Sequence, residues 1–140
     1  MTLYGDTSAL AKLFLEEQGS PDMRTSVAGT DRVVSVGLIY VQLRAALAAA
    51  IRDRRLPSRR RDDTVADLDR FWDTVFTIAA DDTLLREAGD LAEQMRLRAY
   101  DAVQLAALRT AGDPGEVMFA CWDNDLRSAA KQLGYTVMPA

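Results

Sequence analysis

The chain has 140 residues, of which 49% are hydrophobic and 27% charged, and its 17 basic and 21 acidic side chains leave a formal net charge of −4. That apolar share suits one soluble globular core, a single domain over residues 1–140, and fits neither a disordered chain nor a coiled coil. Histidine is absent and Cys121 is the only cysteine, which excludes histidine-assisted serine or cysteine catalysis, the usual zinc ligand sets and any internal disulfide. Chemistry must therefore run on carboxylates, hydroxyls, arginines or a bound metal. No apolar run approaches bilayer-spanning length and none follows a cationic start, so a cytoplasmic protein away from the membrane is expected.

In chain order, residues 3–5 form a first expected strand and residues 7–17 an expected helix behind it. Residues 33–36 make a second strand, followed by helical periodicity over 37–53 and 58–73. Between these helices lies the one strong shift in composition, six arginines against one aspartate over residues 52–61, a net of +5. Residues 62–101 then carry eleven acids against four arginines, a net of −7. A third strand at 75–79 precedes helices at 83–97 and 98–111, with Phe71, Trp72 and Phe76 assigned to the core. Gly112-Asp113-Pro114-Gly115 is a turn. Strands at 117–122 and 136–138 bracket a last helix at 124–133, with Gly134 as its C-terminal glycine. Strands alternating with helices imply an α/β fold with a mainly parallel sheet, because parallel neighbours need a crossover between them.

In open α/β sheets, ligands bind beyond the carboxyl ends of the strands. Asp6 ends the first strand and Asp123 the fourth. Taken alone, each reads best as a helix cap that accepts a backbone N–H from the first turn. Helix phase adds two more polar groups, because residues three and four apart share a face. Asp101 has Leu97, Leu105 and Leu108 along its face, and Gln42 has Leu38, Ile39, Ala45 and Ala46. A carboxylate on an apolar stripe must be paired, hydrogen-bonded or metal-bound; an amide there is otherwise satisfied by backbone groups at a strand end. Together Asp6, Gln42, Asp101 and Asp123 point toward one cleft, where several carboxylates need a cation to offset their repulsion. An oxygen-only cluster suits Mg2+ or Mn2+, ions that act on phosphate esters.

Four stretches resemble the PIN-domain ribonucleases, and within them the VapC-type toxins of type II toxin–antitoxin pairs. They are Tyr4-Gly5-Asp6-Thr7-Ser8-Ala9-Leu10, Leu43-Arg44-Ala45-Ala46-Leu47, Leu97-Arg98-Ala99-Tyr100-Asp101-Ala102-Val103-Gln104-Leu105-Ala106 and Trp122-Asp123-Asn124-Asp125-Leu126. The match in spacing and order extends over essentially the whole chain. The resemblance implies a three-layer α/β/α fold with a mainly parallel central sheet of four to five strands. It implies a Mg2+- or Mn2+-dependent endoribonuclease acting on structured RNA of the tRNA or rRNA class. It also implies a cognate antitoxin that blocks the cleft, with assembly as a homodimer or a toxin–antitoxin hetero-oligomer. Carried over residue by residue, Asp6, Asp101 and Asp123 fall on three of the family's metal-binding acids. Ser8 falls on the small hydroxyl residue often found beside the first, and Asp125 is an accessory acid. Gln42 and Cys121 depart from the pattern, standing where a glutamate and commonly a threonine are found.

An amide oxygen can ligate a metal, but it brings no negative charge and accepts no proton as a base. We favour reading Gln42 as an isosteric replacement of a glutamate that lets a toxic enzyme be produced, because the surrounding motif is well kept; natural divergence is the alternative. An acidic chain that binds RNA needs a local basic surface. Arg59, Arg60 and Arg61 are the candidates, against the plainer reading of a solvated linker between two helices. Residues 13–27, with Phe14, Leu15 and Met23, are a candidate apolar face for an antitoxin helix or a second copy of the chain. Two rival functions stand. One is a catalytically inactive PIN-fold binding or regulatory module, supported by Gln42. The other is an aspartate-dependent phosphatase with Asp6 as nucleophile, weakened by Ser8 where such enzymes place a second aspartate.

Overall fold

The computed structural model describes residues 1–140. Five strands, β1 (Thr2–Gly5), β2 (Arg32–Val36), β3 (Phe76–Ile78), β4 (Val117–Ala120) and β5 (Thr136–Met138), form one sheet in the order β3-β2-β1-β4-β5 with every pair parallel. β1 lies at the centre, with Leu3 paired to Val33 on one side and to Met118 on the other. Helices cover both faces of such a sheet, so Leu3, Tyr4 and Gly5 are all buried and the strand reads as a continuous run rather than an alternation.

Seven helices make the connections: α1 (Thr7–Leu10), α2 (Ser20–Ala28), α3 (Ile39–Arg52), α4 (Arg61–Trp72), α5 (Asp82–Met95), α6 (Ala99–Ala111) and α7 (Asn124–Gln132). From β1 the chain steps through β2 to the β3 edge, then crosses back to β4 and β5. Right-handed crossovers accordingly set α1 to α4 on one face and α5 to α7 on the other. The packing follows this division: α1 and α4 contact α3, while α5 and α7 contact α6. α6 is the spine of its layer, with residues 102–108 all buried and contacts to β2, β3 and β4. The expected three-layer architecture is present, with a sheet that is wholly parallel. Its strand order reverses between β1 and β4, and that reversal opens a cleft beyond their carboxyl ends.

Residues 7–17 do not form a single helix. α1 makes one turn, tightens into a 3-10 turn at Ala11–Leu13, and the chain bends at Gly19, φ +92°, to start α2. The Ser20 hydroxyl closes this bend by donating to the Leu15 carbonyl and accepting the Glu17 N–H. Only Ser20 and Met23 of the nine α2 residues are buried, so that helix carries no apolar stripe to announce it. Leu15 and Met23 are buried, and Phe14 packs edge-on against Phe71 with ring centroids 5.7 Å apart. The apolar side chains of residues 13–27 therefore belong to the core rather than to an open partner face. Phe76 departs in the opposite direction. On the edge strand β3 it is 63% exposed beneath the Arg32 guanidinium, whereas Phe71 and Trp72 do pack against the core.

A Cβ at Gly19 would lie 2.8 Å from a carbon of the Trp122 ring, in a backbone conformation that side chains rarely adopt. Gly19→Ala is expected to cost about 1–3 kcal/mol in chemical or thermal unfolding. An unchanged midpoint would mean that the loop and the indole can separate freely.

Candidate active site

Gly5 and Ala120 are register partners, so the segments leaving β1 and β4 emerge side by side at the cleft. Asp6 follows β1 directly and its Oδ1 accepts the Ala9 N–H at 3.0 Å. Asp123, three residues beyond β4, caps α7 in the same way by accepting the Leu126 N–H at 3.0 Å. Capping and a cleft position are therefore compatible, because the cap engages one carboxylate oxygen and leaves the other. Asp6 Oδ1 also accepts the Ser8 hydroxyl at 2.7 Å, and its Oδ2 accepts the Cys121 thiol at 3.0 Å. Ser8 Oγ in turn accepts the Trp122 N–H at 2.9 Å, which ties the exit of β4 to α1. Asp101 in the first turn of α6 and Gln42 near the start of α3 join both aspartates in lining a cavity of about 510 Å3. Thr7, Ser8, Ala45, Ala46, Tyr100, Gln104 and Leu126 complete its wall.

Burial raises the Asp6 carboxyl above the ordinary carboxylate range, and the charge of Asp123 adds to the effect. The bonds from Cys121, Ser8 and Ala9 pull it part of the way back. Burial likewise raises Asp101, with Asp123 and Asp125 adding to it and Arg98, 3.6 Å away, opposing. The Cys121 thiol is pushed up by burial and by Asp6, so it stays protonated and keeps its role as donor. An oxygen donor set under this mutual repulsion fits a hard divalent cation. No three carboxylates or thiols close into a ready-made cage. An ion held here would have to complete its shell with waters and substrate phosphate, as Mg2+ does elsewhere.

Asp6, Ser8, Gln42, Asp101 and Asp123 thus meet in one cavity. Asp125 is exposed on α7 outside the wall and reaches Asp101 only through its charge. Arg59, Arg60 and Arg61 do not line the cavity either. Arg61 faces a groove between α3 and α4 with Arg44 and Arg52, and Arg60 lies in another with Phe14 and Arg55. Three further residues escaped the sequence reading. Thr7 donates its hydroxyl to Gln42 Oε1, and the buried Tyr4 hydroxyl donates to Gln104 Oε1 at 2.7 Å. Gln104 lies three residues after Asp101, so the same helix phase locates it. Tyr4 sits in a strand buried on both sides, where no alternation separates a functional face from a packing face.

A wholly parallel sheet that gathers aspartates from the ends of β1 and β4 and from α6 into one cleft defines a PIN-domain nuclease fold. No family model matches the chain. Its sequence is 38% identical over 138 residues to ribonuclease VapC45 of Mycobacterium tuberculosis, covering 99% of this chain and 95% of that protein. The chain belongs to the VapC ribonuclease family. Among solved structures, VapC20 of Mycobacterium tuberculosis, a sarcin–ricin loop cleaving toxin, matches at a TM-score of 0.67 with 17% identity, over 91% of this chain and 94% of that one. VapBC2 of Rickettsia felis, bound to a DNA fragment from its promoter, matches at 0.66 with 9% identity, over 98% and 97% of the two chains. At these identities the two structures establish the shared fold.

A carboxyl raised in the folded chain binds its proton more readily there than in the unfolded chain, so stability falls as pH rises from the ordinary carboxylate range through the raised value. Asp101→Asn keeps the shape and removes the charge, and the Arg98 contact it gives up is largely exposed and worth little. In chelator the variant is expected to melt above the parent at about pH 7, with the advantage vanishing below about pH 4. Melting curves that coincide at both pH values would contradict the assigned repulsion.

Proposed function

We propose that this chain is a Mg2+- or Mn2+-dependent endoribonuclease toxin that cleaves an exposed loop of a structured RNA of the tRNA or rRNA class, and that Gln42 weakens it. The observation that carries the proposal is the convergence of Asp6, Gln42, Asp101 and Asp123, from four separate segments, in one cavity at the reversal of strand order. Loops are favoured over duplex because their bases can be reached, and the activity of VapC20 on the sarcin–ricin loop supports that class. Asp6, Asp101 and Asp123 would hold the ion, which when bound activates water and offsets charge developing at phosphorus. Asp6 is held by three donors and keeps a fixed position at the end of β1. Gln42 Oε1 already accepts the Thr7 hydroxyl, and its amide takes up no proton, so this position supplies no base.

The likeness of fold to VapBC2 supports a cognate antitoxin that covers the cleft in a hetero-oligomer. No helix is long and apolar enough to cross a membrane, and we place toxin and antitoxin in the cytoplasm with their RNA target. The inactive-module alternative rests on Gln42, and one substitution separates the two readings.

Gln42→Glu is expected to speed Mn2+-dependent cleavage of a sarcin–ricin stem–loop or a tRNA anticodon stem–loop by about 100-fold or more. Its Mn2+ affinity, read by calorimetry, should rise in parallel. Equal rates and equal affinities for the two forms would sink the proposal that a glutamate belongs at this position. Neutralising Arg59, Arg60 and Arg61 together should lower the slope of log affinity against log salt by up to about 2, at roughly 0.7 per lost phosphate contact. An unchanged slope would return that segment to the role of a linker.

A further inference from the structure

A phosphodiester entering an acidic cavity needs hydrogen-bond donors, and the donors in this wall can be counted side chain by side chain. The Ser8 hydroxyl proton goes to Asp6, and the Thr7 hydroxyl proton goes to Gln42 Oε1. Ionised Asp6, Asp101 and Asp123 only accept. Arg98 is engaged with Asp101 and is 80% exposed, and the Tyr100 hydroxyl sits on a side chain that is 59% exposed. Apart from this tyrosine at the exposed rim, the side-chain donors left within the wall are the amides of Gln42 and Gln104.

Gln104 is the better placed of the two. It is only 4% exposed, and its Oε1 is held at 2.7 Å by the hydroxyl of a fully buried tyrosine. That bond orients the amide, with the oxygen toward the core and Nε2 away from it. Nε2 has no partner within the chain, yet no sealed side-chain nitrogen or oxygen lacks one. Nε2 therefore opens into the cavity that Gln104 lines. An amide whose acceptor is engaged and whose donor is free offers an anion a fixed, neutral N–H, and its burial strengthens any bond it forms. One face of α6 thus presents an acid at Asp101 and a donor at Gln104 side by side.

We propose that Gln104 contacts the RNA backbone, its Nε2–H donating to a non-bridging oxygen of the phosphodiester in the cavity, with Tyr4 as the positioning residue that aims it. The proposal rests on the ribonuclease reading above and names the group that receives the phosphate. The Gln104 side-chain amide signals, assigned by their absence from Gln104→Met, are followed by 1H–15N NMR in the parent chain. The two stem–loop RNAs are added in turn, with Ca2+ in place of Mg2+ to hold cleavage back. Both amide signals are expected to move to saturation along with binding, and the movement should shrink in Tyr4→Phe, where the amide is free to turn. Gln104→Met and Gln104→Glu should each weaken binding about 10- to 150-fold, the range for a hydrogen bond to a charged group. Should either variant fail to fold, triple-resonance spectra of the parent chain assign the signals and their movement decides alone. RNA binding that leaves the Gln104 signals unmoved overturns the assignment while the ribonuclease reading stands. If neither RNA binds the parent chain, the ribonuclease reading falls and this assignment falls with it.

Discussion

A carboxylate that is 5% exposed cannot be left to water, and the way Asp6 is satisfied dictates how the rest of the molecule is assembled around it. Its donors come from the first turn of α1, through the Ala9 N–H and the Ser8 hydroxyl, and from the segment beyond β4, through the Cys121 thiol. Ser8 then takes the Trp122 N–H, so the end of β1, the start of α1 and the exit of β4 form one hydrogen-bonded unit. That unit sits where the strand order reverses, and the cleft opens over it. α1 needs only one turn to provide the capping donors. The 3-10 turn that follows then carries Lys12 inward to bond Glu17 and lie over the Trp122 ring.

Much of this plan was legible in the sequence because it rests on local rules. Five apolar runs alternating with helical periodicity were enough for a parallel sheet, and the observed strands fall within a residue or two of where the runs lie. Asp6 and Asp123 announce themselves as strand-end caps, and Asp101 and Gln42 by their phase on apolar faces. What stayed hidden is what depends on distant partners. α2 is held by Gly19, by the Ser20 bonds and by a single buried methionine, so its sequence carries almost no amphipathic pattern. Phe76 looked like core until the sheet order placed β3 at an edge. Tyr4 and Gln104 are one hundred positions apart, and their bond exists only because α6 lies against the centre of the sheet. The arginines near residue 60 were visible as a cluster, yet only the packing of α3 and α4 shows that Arg60 and Arg61 turn into different grooves.

The departures from the family pattern become chemically intelligible in this setting. Cys121 stands where a threonine is common, and its thiol performs the task a hydroxyl would perform there, donating to Asp6 from a position with no access to solvent. A thiol is a weaker donor than a hydroxyl, and it shares the Asp6 carboxylate with Ser8 and the Ala9 amide. Gln42 keeps the shape of the expected acid, and the Thr7 hydroxyl bonds its oxygen as it would bond a carboxylate. The two changes differ in kind. One preserves a donor and alters its strength, while the other preserves the geometry and removes a charge.

The seat of Trp122 carries a consequence of an optical sort. The chain has two tryptophans. The ring of Trp122 lies against Gly19 and 4.8 Å from the Lys12 ammonium, the residue's backbone N–H donates to Ser8, and Asp123 follows it directly in the chain. Trp72, on α4, instead packs against Tyr40 with ring centroids 5.8 Å apart. The molecule therefore contains its own fluorescent observer beside the Asp6 unit, at the exit of β4, and a second indole away from it on α4. Light emitted by the first reports the state of the Asp6 unit without any label being attached.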